Sequence, residues 1–261
     1  MKNENAFLPA ILIPVFRHGE ACRTVVNSIS SLCREQKIPV ILVDDGNDKE
    51  TKALLQKIVL ENADFTELVS LPKNGGKGAA FEEGIFFAEA RGFSHVLQMD
   101  ADAQHDSSRS AFFLDRARAH PDALICGYPE YDESAPQHRK GAHRFANWWC
   151  AVVTWEKGIV DSLCGFRVYP VKETAKLVRQ KSLDKRMGFD IDILIRLIWR
   201  GVPFEFYGVK VTYPVDGISN FRAFRDNVRI SWVFTKFFFG MCVRIPLFVW
   251  RKIRSKNRAK K

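Results

Sequence analysis

Asp100 and Asp102 lie one residue apart at the end of the apolar run His95 to Met99, where two carboxylates can grip one divalent cation. A cation held there would neutralise a diphosphate. Gln104 and His105 follow directly, and a set dominated by oxygen ligands suits Mg2+ or Mn2+. Asp44 and Asp45 close a second apolar run, Val40 to Val43, just before Gly46. From there one carboxylate could accept a hydrogen bond from a nucleobase N–H and the other could reach a ribose or a metal-bound water, although acidic pairs at strand ends also serve simply as turn formers. The third cluster, Asn74-Gly75-Gly76-Lys77-Gly78, precedes a helical pattern and places a cation on a permissive backbone. That suits close approach to phosphate or ribose oxygens, or a plain glycine-rich turn. It is not a Walker A loop, because Lys77 is followed by Gly78 where that motif needs Ser or Thr.

Three chemical clusters at strand ends require a scaffold that brings those ends together. Apolar runs at 10–15, 40–43, 65–71, 96–99 and 124–127 alternate with helical patterns beginning near Glu20, Asp48, Lys77 and Asp106. This rhythm predicts an α/β fold, a mostly parallel sheet with helices on both faces that binds its ligand at the carboxyl ends of the strands. The stretch from Glu130 to Arg144 has no clear period and reads as a mobile loop over a site. A helix is expected from Phe145 to Glu156, a strand from Phe166 to Pro170, a helix from Phe189 to Arg200 ending at Gly201, and a strand from Phe204 to Thr212.

From Asn227 the residues Ile230, Val233, Phe234, Phe237, Phe238 and Met241 recur at three- and four-residue spacing, as in an amphipathic helix. Pro246 is expected to end or kink it. Such a helix can lie in a bilayer interface or pack on the core. Lys236, Arg244 and Pro246 interrupt the apolar stretch, so no full span of roughly 20 apolar residues is expected, and the first residues lack the apolar core of a signal peptide. The expected organisation is a main domain over 1–222, amphipathic helices over 223–250 and a basic tail over 251–261.

Of the formal charge of +10, the last eleven residues supply seven positive charges and no acid, leaving the body only weakly basic. That asymmetry fits an anionic membrane surface better than nucleic acid, which is not expected as a partner. Six cysteines without a CxxC pair suggest neither a zinc site nor a disulfide framework, and a reducing compartment is the default.

The segments IPVF, VDDG, NGGKGAA, MDADAQH, DSLCGFRVYP and GFDIDILIRLIWRG occur in this order. Over residues 8 to 220 the chain resembles family 2 glycosyltransferases of the GT-A fold, most closely the branch of dolichol-phosphate mannose synthases and related polyprenyl-phosphate glycosyltransferases. The resemblance implies an enzyme that moves a sugar from a UDP- or GDP-linked donor to a lipid-linked or amphipathic acceptor with inversion, a polyprenyl phosphate being one such acceptor and a saccharide or glycolipid hydroxyl the alternative. It implies nucleotide-sugar contacts from Pro14, Asp44, Asp45, Lys77, Asp100 and Ala101, and a metal held by Asp102 with Asp100 and Gln104. Asp161 and Gly165-Phe166-Arg167 match a segment lining the sugar and acceptor side. Asp192 occupies the position where relatives usually carry Glu, with Asp190 as its competitor for the role of base. The implied location is cytoplasmic, peripheral on the inner face of the cell membrane.

Two departures from the family bear on the ligands. Phe16-Arg17-His18 stands where many relatives have Tyr-Asn-Glu or Tyr-Asn-His, which alters donor contacts at the first strand end. Near residues 215–222 the mannose synthases carry an Arg and a Ser-Lys pair, whereas here Ser219 is followed by Asn220. Contact to an acceptor phosphate then falls to Arg222, Arg139, Arg144 or Arg167. A hydroxyl acceptor needs a base such as Asp192 or Asp190; a phosphate is already ionised and needs only positioning. A sugar-phosphate nucleotidylyltransferase would need a Gly- and Arg-rich first loop, and Ile13 to His18 is followed by Gly19 alone. A non-catalytic membrane- or nucleic-acid-binding module would have no use for an acidic cluster that repels phosphate unless a metal is present.

Overall fold

The computed structural model describes residues 7–131, 137–212 and 223–258, with backbone only at 131, 137–143, 223–227, 252 and 254–258. The first half alternates strands and helices: β1 (Pro9–Val15), α1 (Gly19–Gln36), β2 (Val40–Asp44), α2 (Lys49–Glu61), β3 (Thr66–Ser70), α3 (Lys77–Ala90) and β4 (His95–Gln98). Then come α4 (Ser110–Ala119), β5 (Leu124–Tyr131), α5 (Gln137–Thr154), β6 (Arg167–Pro170), α6 (Val171–Gln180), α7 (Phe189–Arg200), β7 (Phe204–Val211) and α8 (Ala223–Arg258).

The strands form one sheet in the order β3-β2-β1-β4-β6-β5-β7, parallel except for β6, which runs antiparallel to both β4 and β5. Strand residues alternate between two cores. Ile11, Ile13, Val40 and Leu42 face the layer of α1, α2 and α4, while Ala10, Leu12, Ile41 and Val43 face α3, α6 and α7. Burial on both faces is why these strands read as unbroken apolar runs. Chain order reverses between β1 and β4, and a crevice at such a switch point is where α/β sheets hold ligands.

Three elements differ from the sequence expectation. α5 begins at Gln137, inside the stretch expected to be a loop, and residues 132–136 lie outside the described residues. Gln, Arg, Lys and Ala are good helix formers, and a helix of such residues carries no apolar period to announce it. α6 was not expected: Val171, Thr174, Ala175, Leu177 and Val178 face the core with Lys and Glu on the outer side, a clear helical period that is only ten residues long and follows β6 without a loop. α8 continues through Pro246, because Met241 before it and Phe248 after it are both buried in the same cluster and hold one helix across the missing N–H.

That cluster also settles which face of α8 is core. Ile230, Val233, Phe234, Phe237 and Met241 pack against Ala146, Cys150 and Val153 of α5 and Ile191, Ile195 and Trp199 of α7. The stripe that could have served a membrane is therefore largely internal. Phe237 meets Trp199 edge to face at 5.1 Å, the Trp199 indole donates to the Val153 carbonyl at 2.9 Å, and Arg244 lies 4.3 Å above the same indole. A second stripe, Val228, Trp232, Phe239, Val243, Trp250 and Ile253, is exposed. At 100° per residue it lies on the side of the helix opposite the buried one. The 24-residue segment Val228–Arg251 is long and apolar enough to cross a membrane by length and composition, so the breaks read from Lys236, Arg244 and Pro246 do not limit it.

Phe237→Ala should lower unfolding stability by about 3 kcal/mol, the usual cost of emptying a buried phenyl site. Phe239→Ser, on the exposed stripe, should stay within about 0.5 kcal/mol of wild type. Urea denaturation of the two variants distinguishes the faces, and equal losses would show that the assignment of inner and outer face is incorrect.

Candidate active site

The strand ends around the switch point are tied together by side chains. Asp44 Oδ1 accepts from both the backbone and side-chain N–H groups of Asn47, each at 2.8 Å. Asn47 in turn donates to the Val15 carbonyl and accepts from Arg17 N–H, fixing the ends of β1 and β2 to one another. Asp45 receives Gly75 N–H at 2.7 Å, Gly76 N–H at 2.9 Å and the Asn74 amide at 2.8 Å. It thus caps the start of α3 from another loop. Burial pushes the Asp45 carboxyl up, against the opposing pull of the Gly75 and Gly76 hydrogen bonds. Both carboxylates are engaged by the protein's own donors, but Asp44 Oδ2 is buried without a hydrogen-bond partner. Pro14 stands beside Val43 in the β1–β2 register, one residue before the Val15–Asp44 pair.

Lys77, the first residue of α3, reaches across the crevice. Its Nζ lies 2.7 Å from Asp100 Oδ1 and 2.9 Å from Asp190 Oδ2, joining α3, the end of β4 and the start of α7. Burial works against the ammonium charge, but the two carboxylates outweigh it and raise the Lys77 pKa. Burial likewise works against ionisation of Asp100, and Lys77, assisted by His105 and Arg167, more than offsets it and holds the carboxyl below its ordinary range. This arrangement depends on Gly165, where a Cβ would lie 2.5 Å from Lys77 Nζ and 2.6 Å from Asp100 Oδ2.

Asp102 is not bridged by Lys77. It accepts its own loop's Gln104 N–H at 3.1 Å, and burial followed by the Asp100 charge pushes its carboxyl up against the weaker pull of His105 and His18. Ala101 between the acids is buried, and Ala103 sits at φ 58°, a left-handed conformation that a non-glycine residue adopts at some cost. Arg17, at the end of β1, has φ 64°. Both strained residues border the crevice, where such conformations concentrate in functional sites. Gln104 is anchored through its carbonyl to Thr212 N–H at 3.0 Å, so the acidic loop is laced to the end of β7.

Asp190 and Asp192, two residues apart on α7, have separate surroundings. Asp190 meets Lys77 and, at 3.4 Å, the Gln98 amide. Asp192 is buried away from them, accepting Asp184 N–H at 2.9 Å and pairing with Arg196. Arg167, the first residue of β6, is fully buried; it donates to the Asp190 carbonyl at 2.7 Å and to the Ser162 carbonyl at 2.9 Å. Asp161 organises the neighbouring loop by accepting Leu163 and Cys164 N–H groups. The loop is also held by Asn147 of α5, which accepts from Ser162 and was not singled out from sequence. Arg144 is exposed on α5, the Arg139 side chain is not described, and Arg222 lies outside the described residues.

The structure therefore gathers Lys77, Asp100, Asp102 and Asp190 over the switch between β1 and β4, with Asp44 and Asp45 on the β2 side. Among the described residues no group of three or more His, Cys, Asp or Glu is arranged as a complete metal cage. Two carboxylates with the remaining positions open is the set Mg2+ commonly uses when substrate phosphates complete its shell. The sheet, its order and its open acidic crevice define a GT-A transferase. Residues 10–184 match the family described as Glycosyl transferase family 2, and the protein belongs to that family: it is a glycosyltransferase.

The chain is 25% identical over 222 residues to the polyprenol monophosphomannose synthase of Mycolicibacterium smegmatis, covering 84% of this chain and 82% of that one. It is 29% identical over 206 residues to the human dolichyl-phosphate beta-glucosyltransferase, covering 71% of this chain and 61% of the relative. In structure it resembles the glucosyl-3-phosphoglycerate synthase of Mycobacterium tuberculosis, solved with Mn2+, UDP and phosphoglyceric acid, with a TM-score of 0.67 at 16% identity, over 92% of this chain and 80% of that chain.

The raised Asp102 carboxyl carries a stability consequence. A carboxyl whose folded pKa exceeds its unfolded value favours the fold only while protonated, and that contribution is lost as pH rises through the folded pKa. At neutral pH Asp102→Asn should therefore raise the melting temperature of the metal-free protein. Mn2+ should raise the melting temperature of wild type and leave that of the variant nearly unchanged. A metal response of equal size in both would remove Asp102 from the metal site.

Proposed function

We propose that the protein transfers a sugar from a UDP- or GDP-linked donor to a lipid-linked phosphate at a membrane surface, using a divalent metal. The observation that carries this reading is the Lys77 bridge between Asp100 and Asp190, with Asp102 beside it but outside the bridge, its carboxyl pushed up by burial and by Asp100. A metal bound by Asp102, with Asp100 and Gln104, would supply positive charge to the departing nucleoside diphosphate. Lys77 would contribute a second cation at the same place, and stabilisation of developing charge is often the largest catalytic term. Asp44 and Asp45 would shape the nucleotide end of the crevice; Asp44 Oδ2 lacks a hydrogen bond and lies 4.0 Å from the Lys52 ammonium.

The surroundings of the two acids on α7 favour a phosphate acceptor. Asp192 is committed to Arg196 and Asp184 N–H, and Asp190 is committed to Lys77. Neither is an unencumbered base, and an ionised phosphate needs none. The relatives named for polyprenol and dolichyl-phosphate chemistry support the same choice. A hydroxyl acceptor is the second reading, supported by the Asp190 carboxylate facing the crevice, and Asp190 would then be the base. Arg167 supports the site from beneath by holding the start of α7; Arg144, Arg139 and Arg222 are the cations proposed to meet the acceptor.

The outer stripe of α8 supports a membrane setting. Trp232 and Trp250 are 18 residues apart, about 27 Å along a helix, with Phe239 and Val243 between them. Because the opposite face is packed on α5 and α7, we place the helix flat in the interface, with residues 251–261 on anionic headgroups and the enzyme peripheral on the cytoplasmic side.

Asp102→Asn should reduce transfer by more than about 100-fold, the scale of losing a principal electrostatic element. Near-normal turnover, or full activity in excess EDTA, would refute metal dependence. With a polyprenyl-phosphate acceptor, Asp190→Asn should alter donor use through Lys77. With a hydroxyl acceptor it should remove about 10² to 10⁴ of kcat at unchanged donor binding. Lipid products from mass spectrometry decide between the acceptors. In sedimentation with anionic vesicles, replacing Trp232 and Phe239 by Ser should weaken binding, and removing residues 256–261 should weaken it further by about 1 kcal/mol per basic residue lost. Unchanged binding by both would place the membrane surface elsewhere.

A further inference from the structure

Between α6 and α7, three consecutive residues touch three separate parts of the protein. Asp184 accepts Arg229 of α8, Nε to Oδ2 at 2.9 Å. Lys185 accepts Gly78 N–H through its carbonyl at 3.0 Å and pairs through its ammonium with Glu82, both on α3. Arg186 lies close enough to Asp45 to favour its ionised form. The fit against the glycine turn is tight: Gly76 has φ 93°, and a Cβ there would lie 2.2 Å from the Lys185 carbonyl oxygen. Asp184 is fixed at both ends, its N–H on Asp192 and its Oδ1 on Arg186 N–H at 2.8 Å. A displacement of Asp184 therefore moves the carbonyl that seats the start of α3, and with it Lys77 and the loop that Asp45 caps.

We propose that Asp184 is a positioning residue that couples α8 to the nucleotide site, so that docking of α8 on a membrane and binding of the nucleotide strengthen each other. The membrane half of this statement rests on the reading of the outer face of α8 given above; the coupling between α8 and the nucleotide loop rests on the contacts alone. The Asp184 side chain is 8% exposed and Arg229 is 38% exposed. Without Arg229, a nearly buried carboxylate loses its cation and relaxes toward water, and the seat of α3 relaxes with it. A membrane that takes up the outer stripe restrains α8 and holds Arg229 in place. Whatever factor the membrane adds to nucleotide affinity, the nucleotide must add to membrane affinity.

The test uses the full-length chain with UDP and GDP as probes in Mn2+, titrated by calorimetry in buffer and on vesicles of phosphatidylcholine and phosphatidylglycerol. Arg229→Gln, which touches no part of the nucleotide crevice, should weaken nucleotide binding about five- to tenfold in buffer, a typical coupling between sites. Asp184→Asn should do the same, the double variant should be no worse than either single one, and Arg229→Lys should retain most of the affinity. Vesicles should tighten nucleotide binding to wild type about five- to tenfold and have little effect on Arg229→Gln. Unchanged nucleotide affinity in Arg229→Gln, or losses that simply add in the double variant, would overturn the coupling. Wild type that sediments with vesicles but binds nucleotide equally well on and off them would overturn the membrane linkage alone. Wild type that fails to sediment would defeat the membrane reading itself, while the buffer titrations still decide whether Asp184 positions the site.

Discussion

Three acids, Asp100, Asp102 and Asp190, crowd the crevice around one lysine, and the disposition of that lysine governs the rest. Lys77 stands at the start of α3, where the helix dipole already disfavours a cation, and it is held there by Asp100 from β4 and Asp190 from α7. The bridge joins two helices on one face of the sheet to the end of its central strand β4. Gly165 must lack a side chain to admit it, and Arg167 must anchor the Asp190 carbonyl from beneath to aim α7 at it. Each of these requirements is a constraint of geometry on residues far apart in sequence. Placing one cation between two of the acids leaves Asp102 to the weaker attraction of His105 and His18, which does not offset burial and the Asp100 charge.

The parallel sheet was legible because strands buried on both faces show as apolar runs and their helices as periodic ones; the acidic clusters were legible because carboxylates at strand ends are conspicuous. Side-chain direction was not. Asp190 and Asp192 lie about 200° apart around a helix that is buried nearly all round, so no amphipathic pattern says which one meets the crevice. Arg167 sits in a segment that reads as a strand, but nothing in the sequence says that its guanidinium is buried, pairing in register with Gln98 and Cys126 in the middle of the sheet. The bridge at 184–186 is invisible because its partners, Gly78 and Glu82 of α3 and Arg229 of α8, are far away in sequence and part of it runs through backbone groups that every residue carries.

α8 shows a different limit of sequence periodicity. Its inner stripe, at positions 233, 234, 237, 241 and 248, and its outer stripe, at 228, 232, 239, 243 and 250, both follow helical spacing. A single apolar period fits either face. What separates them is the partner supplied by α5 and α7, whose own apolar residues Ala146, Cys150, Ile191 and Ile195 are far from α8 in sequence. The charged residues that interrupt the apolar run are likewise placed by tertiary contact: Arg244 stacks on Trp199 and Arg229 is taken by Asp184. Arg229 and Arg244 belong to the fold as much as Phe237 does.

A site built from like charges is held against its own repulsion. The energy that keeps Asp102 beside Asp100 comes from the two cores of the sheet and from hydrogen bonds such as Thr212 N–H to the Gln104 carbonyl and the Asn47 amide to the Val15 carbonyl, which lock the loops at the ends of β4 and β1. Arg17 and Ala103, both in the left-handed region, lie on those loops and add to the cost. Strain and repulsion persist because the surrounding bonds over-determine the loops. A ligand set of metal and diphosphate would relieve the repulsion at Asp102, and it would compete with Asp100 and Asp190 for Lys77. Binding would then redistribute one cation among three anionic partners, a change the closely packed start of α3 can transmit to whatever is fastened to it.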